Sequence, residues 1–135
     1  SKYILLLFVI LSSSILVSEE GMKRSSALFL KLLIAHVVDL GLNSVTLMAK
    51  AGELEVYHCL HGHVRQSITT SGDNKQYLFA EIRKRSGFQV EKGRPGDKRE
   101  FEIKLIGGVK ILVQVIVLSE QAGQEGFELQ LSRLI

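Results

Sequence analysis

The stretch from Arg99 to Leu118 most narrows what this chain can fold into. Its first part alternates strictly. Phe101, Ile103 and Leu105 fall on one side of an extended strand, and Glu100, Glu102 and Lys104 on the other. Gly107-Gly108 then supplies two residues tolerant of positive φ, the signal of a tight hairpin. Val109 to Leu118 is so apolar that it predicts a central strand. The loop-like SEQAGQEG follows. The last strand is predicted over Phe127 to Leu134, where Phe127, Leu129 and Leu131 alternate with Glu128, Gln130 and Ser132.

Upstream, three more strands are predicted, over Ser44–Met48, Leu54–Leu60 and His63–Thr69. Ala49 to Glu53, with Gly52, suits a turn. Two helices separate and precede these runs. Ser25 or Ser26 can cap a helix reaching Leu40, and Gly41 is its natural stop. Phe29, Leu32, Leu33, His36, Val37 and Leu40 form one stripe at helical spacing. Leu28, Leu30 and Ile34 extend it around most of the circumference, which predicts burial on more than one face. His36 reads as a core histidine, with a pH-sensitive contact as the alternative. The second helix runs from Lys75 to about Arg85 after a cap at Asp73. Leu78 and Ile82 share a face, Glu81 and Arg85 make an i,i+4 ion pair, and Gly87 with Phe88 forms a left-handed stop. Ser18 to Ser25, with Gly21, reads as a loop. Val90 to Lys98 (VEKGRPGDK) reads as a charged turn-rich loop.

The chain has 135 residues, 46% of them hydrophobic, which suffices for one cored domain and not for two. The predicted fold class is therefore α+β: a single domain with a largely antiparallel sheet flanked by two main helices. It occupies residues 25–135, behind an apolar segment and loop over 1–24. Tyr3 to Leu11 and Ile15 to Val17 are apolar, with Ser12 to Ser14 between them. That is short of the roughly 20 residues a membrane-spanning helix needs. Lys2 gives a basic start, but a small-residue cleavage site is missing. The segment reads as a buried strand, with an interface arm and an export signal or anchor as the other readings. Ser1 in place of an initiator methionine suggests a processed or excised chain.

The segment Tyr57–His63, YHCLHGH, holds three of the four histidines and the single cysteine. A lone cysteine excludes an internal disulfide and suits a reducing compartment. His61-Gly62 has the position of a two-residue hairpin turn. Pairing then sets Leu60 opposite His63, Cys59 opposite Val64 and His58 opposite Arg65. Side-chain alternation puts Cys59 on the other sheet face from His58 and His63. A zinc ion needs three or four ligands converging within about 2.0–2.3 Å, which this hairpin does not predict. Nor does it predict a Cys–His pair for nucleophilic catalysis. No metal or cofactor is expected.

Read outward from this hairpin, the chain resembles the N-terminal, pre-motor domain of the type II secretion and type IV pilus assembly ATPases. That family begins with an apolar helix, then has a G-A-S-D-I-H-like strand and an R-Y-R-I-D-G hairpin. A helix, an E-R-R-x-P-Q-D-G-R segment, two strands, a G-E turn and a final strand follow. Here SSALFLKLLIAHVVDL stands for the helix, GLNSVTL for the strand and VYHCLHGHV for the hairpin. EIRKRSGFQVEKGRPGDKR matches the next segment, with Glu91, Arg94, Pro95, Asp97 and Arg99 in register. GQEGFELQLSRL matches the last turn and strand. The resemblance covers about Ser25 to Leu134.

The resemblance implies a non-catalytic assembly role, with contacts to a motor domain or an identical subunit, in the cytoplasm and at most peripheral to the inner membrane. Ser44 and Thr46 stand in the family's Asp and His positions. Tyr57 and Cys59 stand in its two arginine positions, and His61 in its second Asp position. In the family those arginines help a neighbouring subunit's motor handle nucleotide phosphate. Tyrosine and cysteine present no charged fork to phosphate at neutral pH. No G-x-x-x-x-G-K-[ST] loop occurs, so this chain is not expected to be an ATPase by itself. The residues expected at the contact surface are Tyr57, Cys59, Arg65, Glu91, Arg94, Asp97 and Arg99.

The net charge of +3 is compatible with an acidic partner. Arg83, Lys84, Arg85, Lys92, Arg94, Lys98 and Arg99 form the one basic concentration. It reads as a solvated helix end and loop, or as a protein-docking surface. Nucleic acid is disfavoured because no aromatic residues interleave with the charges; Tyr77, Phe79 and Phe88 are expected in the core. Arg94 and Arg99 with Asp97 and Glu91 also suit a loop held by its own ion pairs. The alternative to an assembly domain is a stand-alone ligand-binding or regulatory module of the same fold.

Overall fold

A computed structural model describes residues 19–50, 53–60, 63–71, 75–87, 94–105, 107–118 and 125–134. The apolar segment 1–18, His61, the cap at Asp73, Phe88 and Glu91 lie outside the described residues. In chain order the elements are α1 (Glu19–Asp39), β1 (Ser44–Lys50), β2 (Glu53–Leu60), β3 (His63–Ser71), α2 (Lys75–Ser86), β4 (Lys98–Lys104), β5 (Lys110–Val117) and β6 (Glu125–Arg133). The strands form one six-stranded antiparallel sheet in the order β3-β2-β1-β6-β5-β4. The α+β class read from the sequence is the class observed.

Alternation on the strands sorts the sheet into two faces. Val45, Leu47 and Ala49 of β1, Leu54 and Val56 of β2, Phe101 and Ile103 of β4 and Phe127, Leu129 and Leu131 of β6 are buried. So are Ile111, Val113, Val115 and Val117 of β5. They share one core with Leu30, Leu33, Ile34 and Val37 of α1 and Leu78, Phe79 and Ile82 of α2. The two helices pack against each other, and α2 also packs beside β4. Phe79 meets Phe127 edge to face, with ring centroids 5.2 Å apart and planes at 74°. Such pairs contribute about 0.5–1.5 kcal/mol beyond their burial. The opposite face carries partly exposed side chains, among them Thr46, Tyr57, Ile116 and Glu128.

The helix ends follow their stop signals. Gly41 has φ 76°. Leu42 N–H donates to Val37 C=O at 3.1 Å and Gly41 N–H to Val38 C=O at 2.9 Å. This is the paired 6→1 and 5→2 arrangement that satisfies the last carbonyls of a helix, and Leu42 packs on the core behind it. Gly87 at φ 80° ends α2, where Ser86 Oγ donates to Ile82 C=O at 2.6 Å.

Two expectations need correction. The Ser18–Ser25 loop is helical from Glu19 onward, and Ser26 is buried within α1 rather than capping it. The acidic residues Glu19 and Glu20 suit a helix N-terminus, and Met22, Lys23 and Arg24 are good helix formers. Together they outweigh Gly21, whose cost of about 1 kcal/mol suggested a break. Strand β5 is interior but not central: it lies one place in from the edge. Its residues alternate between buried and half-buried, so only one face is covered by the core.

Candidate functional site

The β2–β3 hairpin has the register expected of it. His58 pairs with Arg65, Cys59 with Val64 and Leu60 with His63. A feature not anticipated lies just above. Val56 pairs with Ile68 but Tyr57 with Gln66, so Ser67 is an extra residue on β3. A bulge on this outer strand twists the edge and interrupts the row of groups a stray strand would pair with.

Tyr57 sits on the sheet face away from the helices, since its neighbours Val56 and Leu54 are the buried ones. Its hydroxyl donates to the Glu55 carboxylate, two residues back on the same face. That bond holds the phenolic proton and pushes the Tyr57 pKa above its ordinary value, with burial and the Glu55 charge adding in the same direction. Glu55 was not among the residues singled out from the sequence. The i,i+2 spacing of Glu55 and Tyr57 along one strand was the available signal. His58 lies on the opposite, helix-bearing side, in line with Leu54 and Val56.

The second region is a turn. In Arg94-Pro95-Gly96-Asp97, Asp97 N–H donates to Arg94 C=O at 2.9 Å. Gly96 has φ 87°, and Pro95 precedes it. Pro at the second position and a positive-φ Gly at the third make a type II turn. The Asp97 carboxylate closes the ring by accepting the Arg94 main-chain N–H at 2.8 Å. The turn is tied to the sheet by Gly96 N–H to Val117 C=O at 2.7 Å and Val117 N–H to Asp97 C=O at 3.0 Å. Arg94 and Asp97 therefore pair as expected, but through the Arg94 backbone. The Arg94 side chain is exposed. Arg99 is also exposed, and its guanidinium donates to the neighbouring Lys98 C=O at 3.1 Å. In the last turn of α2, Arg85 Nε donates to Glu81 at 2.7 Å, the predicted i,i+4 pair.

The two regions do not form one site. Tyr57 pairs with Thr46, Thr46 with Glu128, Glu128 with Ile116 and Ile116 with Lys98. These five residues make one row across the sheet face away from α1 and α2. Four strand spacings of about 4.8 Å separate its ends, or roughly 19 Å. Tyr57, Cys59 and Arg65 thus belong to one half of the sheet, and Arg94, Asp97 and Arg99 to the other. Among the described residues no group of three or more His, Cys, Asp or Glu side chains is arranged to hold a metal ion. No described helix is long and apolar enough to cross a membrane. No protein-family model matches the chain, and neither does any curated protein.

Proposed function

We propose that this chain is a non-catalytic assembly domain like the one that precedes the motor in type II secretion and type IV pilus ATPases. It docks on a motor domain or a neighbouring subunit. The observation that carries this reading is the order of elements. A helix, a strand, a hairpin, a helix and three strands follow one another at the positions where the family's motifs find their counterparts. The cytoplasmic face of a membrane-bound assembly is the setting this implies.

On this reading the docking surface has two contact points, one on each half of the sheet. The Arg94–Arg99 turn presents exposed cations on a backbone fixed by its own hydrogen bonds. Such a turn needs no ordering on binding, which lowers the cost of association. The hairpin end offers Tyr57 held by Glu55 in place of a phosphate-binding arginine. This favours a protein contact over a nucleotide contact.

A pull-down with a motor domain of a secretion or pilus ATPase from the same source tests the reading. Arg94→Ala with Arg99→Ala is expected to weaken capture by at least fivefold, since charged anchors at interfaces commonly contribute 1 kcal/mol or more. Unchanged capture by the double variant removes the turn from the interface, and no capture of the parent chain removes the assembly role.

A further inference from the structure

Among the described residues strand β4 ends the sheet, and its outer side carries main-chain groups that no described strand pairs, in a particular charge order; the Lys98 C=O there accepts from the Arg99 guanidinium. Asp97 C=O accepts from Val117 and Leu105 N–H donates to Val109, so odd-numbered residues turn their main chain toward β5. In an antiparallel ladder the intervening residues, Lys98, Glu100, Glu102 and Lys104, then aim N–H and C=O outward. Their side chains are all exposed. Phe101 and Ile103 lie on the helix-bearing face and are buried. No proline or bulge interrupts the strand. An edge that no described strand covers can take a partner strand, and the charges determine which strand fits.

We propose that β4 pairs antiparallel with β4 of a second copy of this chain, about a twofold axis at Glu102. Two other symmetric registers overlap at least five residues of β4 and keep the outward groups opposite one another. Centring on Phe101 sets Lys98 against Lys104 and Glu100 against Glu102, so every charged pair repels. Centring on Glu100 sets Lys98 against Glu102 twice, but it sets Glu100 against itself and both apolar residues, Phe101 and Ile103, against the charged Arg99 and Asp97. Centring on Glu102 sets Glu100 against Lys104 twice and Phe101 against Ile103 twice, with Arg99 against Leu105 at the ends as its one mismatch of charge and apolar surface. The cores of the two copies then run on across the junction, and Glu102 facing its own copy is the single like-charged pair. Cross-strand pairs of these kinds are what select a register.

The pairing involves this chain alone, so it stands or falls separately from docking on a motor domain. Analytical ultracentrifugation over a wide concentration range tests it. A monomer–dimer equilibrium is expected. Glu100→Lys and Lys104→Glu, each alone, turn two attractive pairs into two repulsive ones and weaken the dimer by about 5- to 30-fold. The double exchange Glu100→Lys with Lys104→Glu restores it, and Glu102→Gln strengthens it. All these positions are exposed, and unchanged circular dichroism checks that each variant is folded. A chain that stays monomeric at the highest concentration overturns the proposal. So does a dimer that Glu100→Lys strengthens, as the Phe101-centred register requires, or one that the double exchange fails to restore.

Discussion

His36 is 6% exposed, and its Nδ1 has no hydrogen-bond partner among the described residues. Burial is the main cause that lowers its pKa below the ordinary 6.5; nearby positive charge, including His58, adds to it, and Asp39 opposes it. The folded state therefore favours the neutral ring. Below pH 6.5 the unfolded chain takes up a proton that the folded chain resists. Stability from this residue is full above that pH and is lost as pH falls from there to the lowered folded pKa. The slope it contributes is at most about 1.4 kcal/mol per pH unit. Urea unfolding at pH 7.5 and 5.5 is expected to show a smaller loss on acidification for His36→Leu than for the parent chain. An equal loss in both would assign the acid sensitivity elsewhere.

Asp97 and Arg94 separate the roles of side chain and backbone. Asp97→Ala removes the acceptor of the Arg94 N–H and is expected to cost about 0.5–1 kcal/mol, while Asp97→Asn keeps an acceptor and costs less. Arg94→Ala leaves the turn's hydrogen bonds in place and is expected to change stability by less than about 0.5 kcal/mol. Equilibrium denaturation of the three variants checks the ranking. This asymmetry makes Arg94→Ala a clean probe of binding.

Among the elements, the β4–β5 hairpin depends most visibly on its glycines. Gly107 and Gly108 have φ 93° and 86°. Gly108 N–H donates to Leu105 C=O at 3.0 Å, and Leu105 N–H donates to Val109 C=O at 2.8 Å. A Cβ at Gly107 would meet nothing within 4 Å, so the obstacle to substitution is backbone conformation and not space. Gly107→Ala is expected to cost about 1–2 kcal/mol, read as a lower urea midpoint at unchanged slope. Gly126 is the opposite case: its φ is ordinary, but a Cβ there would run into Met48 Sδ and lie 3.2 Å from the Leu47 C=O on the paired strand. Met48 can move, so Gly126→Ala is tolerable only if that side chain shifts.

At the scale of the whole molecule, the two candidate contact regions lie on opposite halves of one sheet, and β4, the last of the described strands, carries the second of them. If a motor domain contacts both, it must span roughly 19 Å of the sheet. Combining Tyr57→Ala with the Arg94 and Arg99 substitutions then gives additive losses of capture, because sites this far apart couple weakly.

Much of this was legible in the residues themselves. Alternation, positive-φ glycines and i,i+4 pairing are relations between near neighbours, so Phe101–Ile103, Gly41 and Glu81–Arg85 declared themselves. The His58–Arg65 pairing followed from a two-residue turn for the same reason. The start of α1 did not, because Gly21 and its flanking residues weigh against each other within a single turn. The order β3-β2-β1-β6-β5-β4 was also hidden, since it joins β1 to β6 across most of the chain. No local pattern encodes a pairing between such distant segments. Only burial of one shared apolar face selects it, and that selection alone set Tyr57 and Arg99 apart and left β4 at the edge.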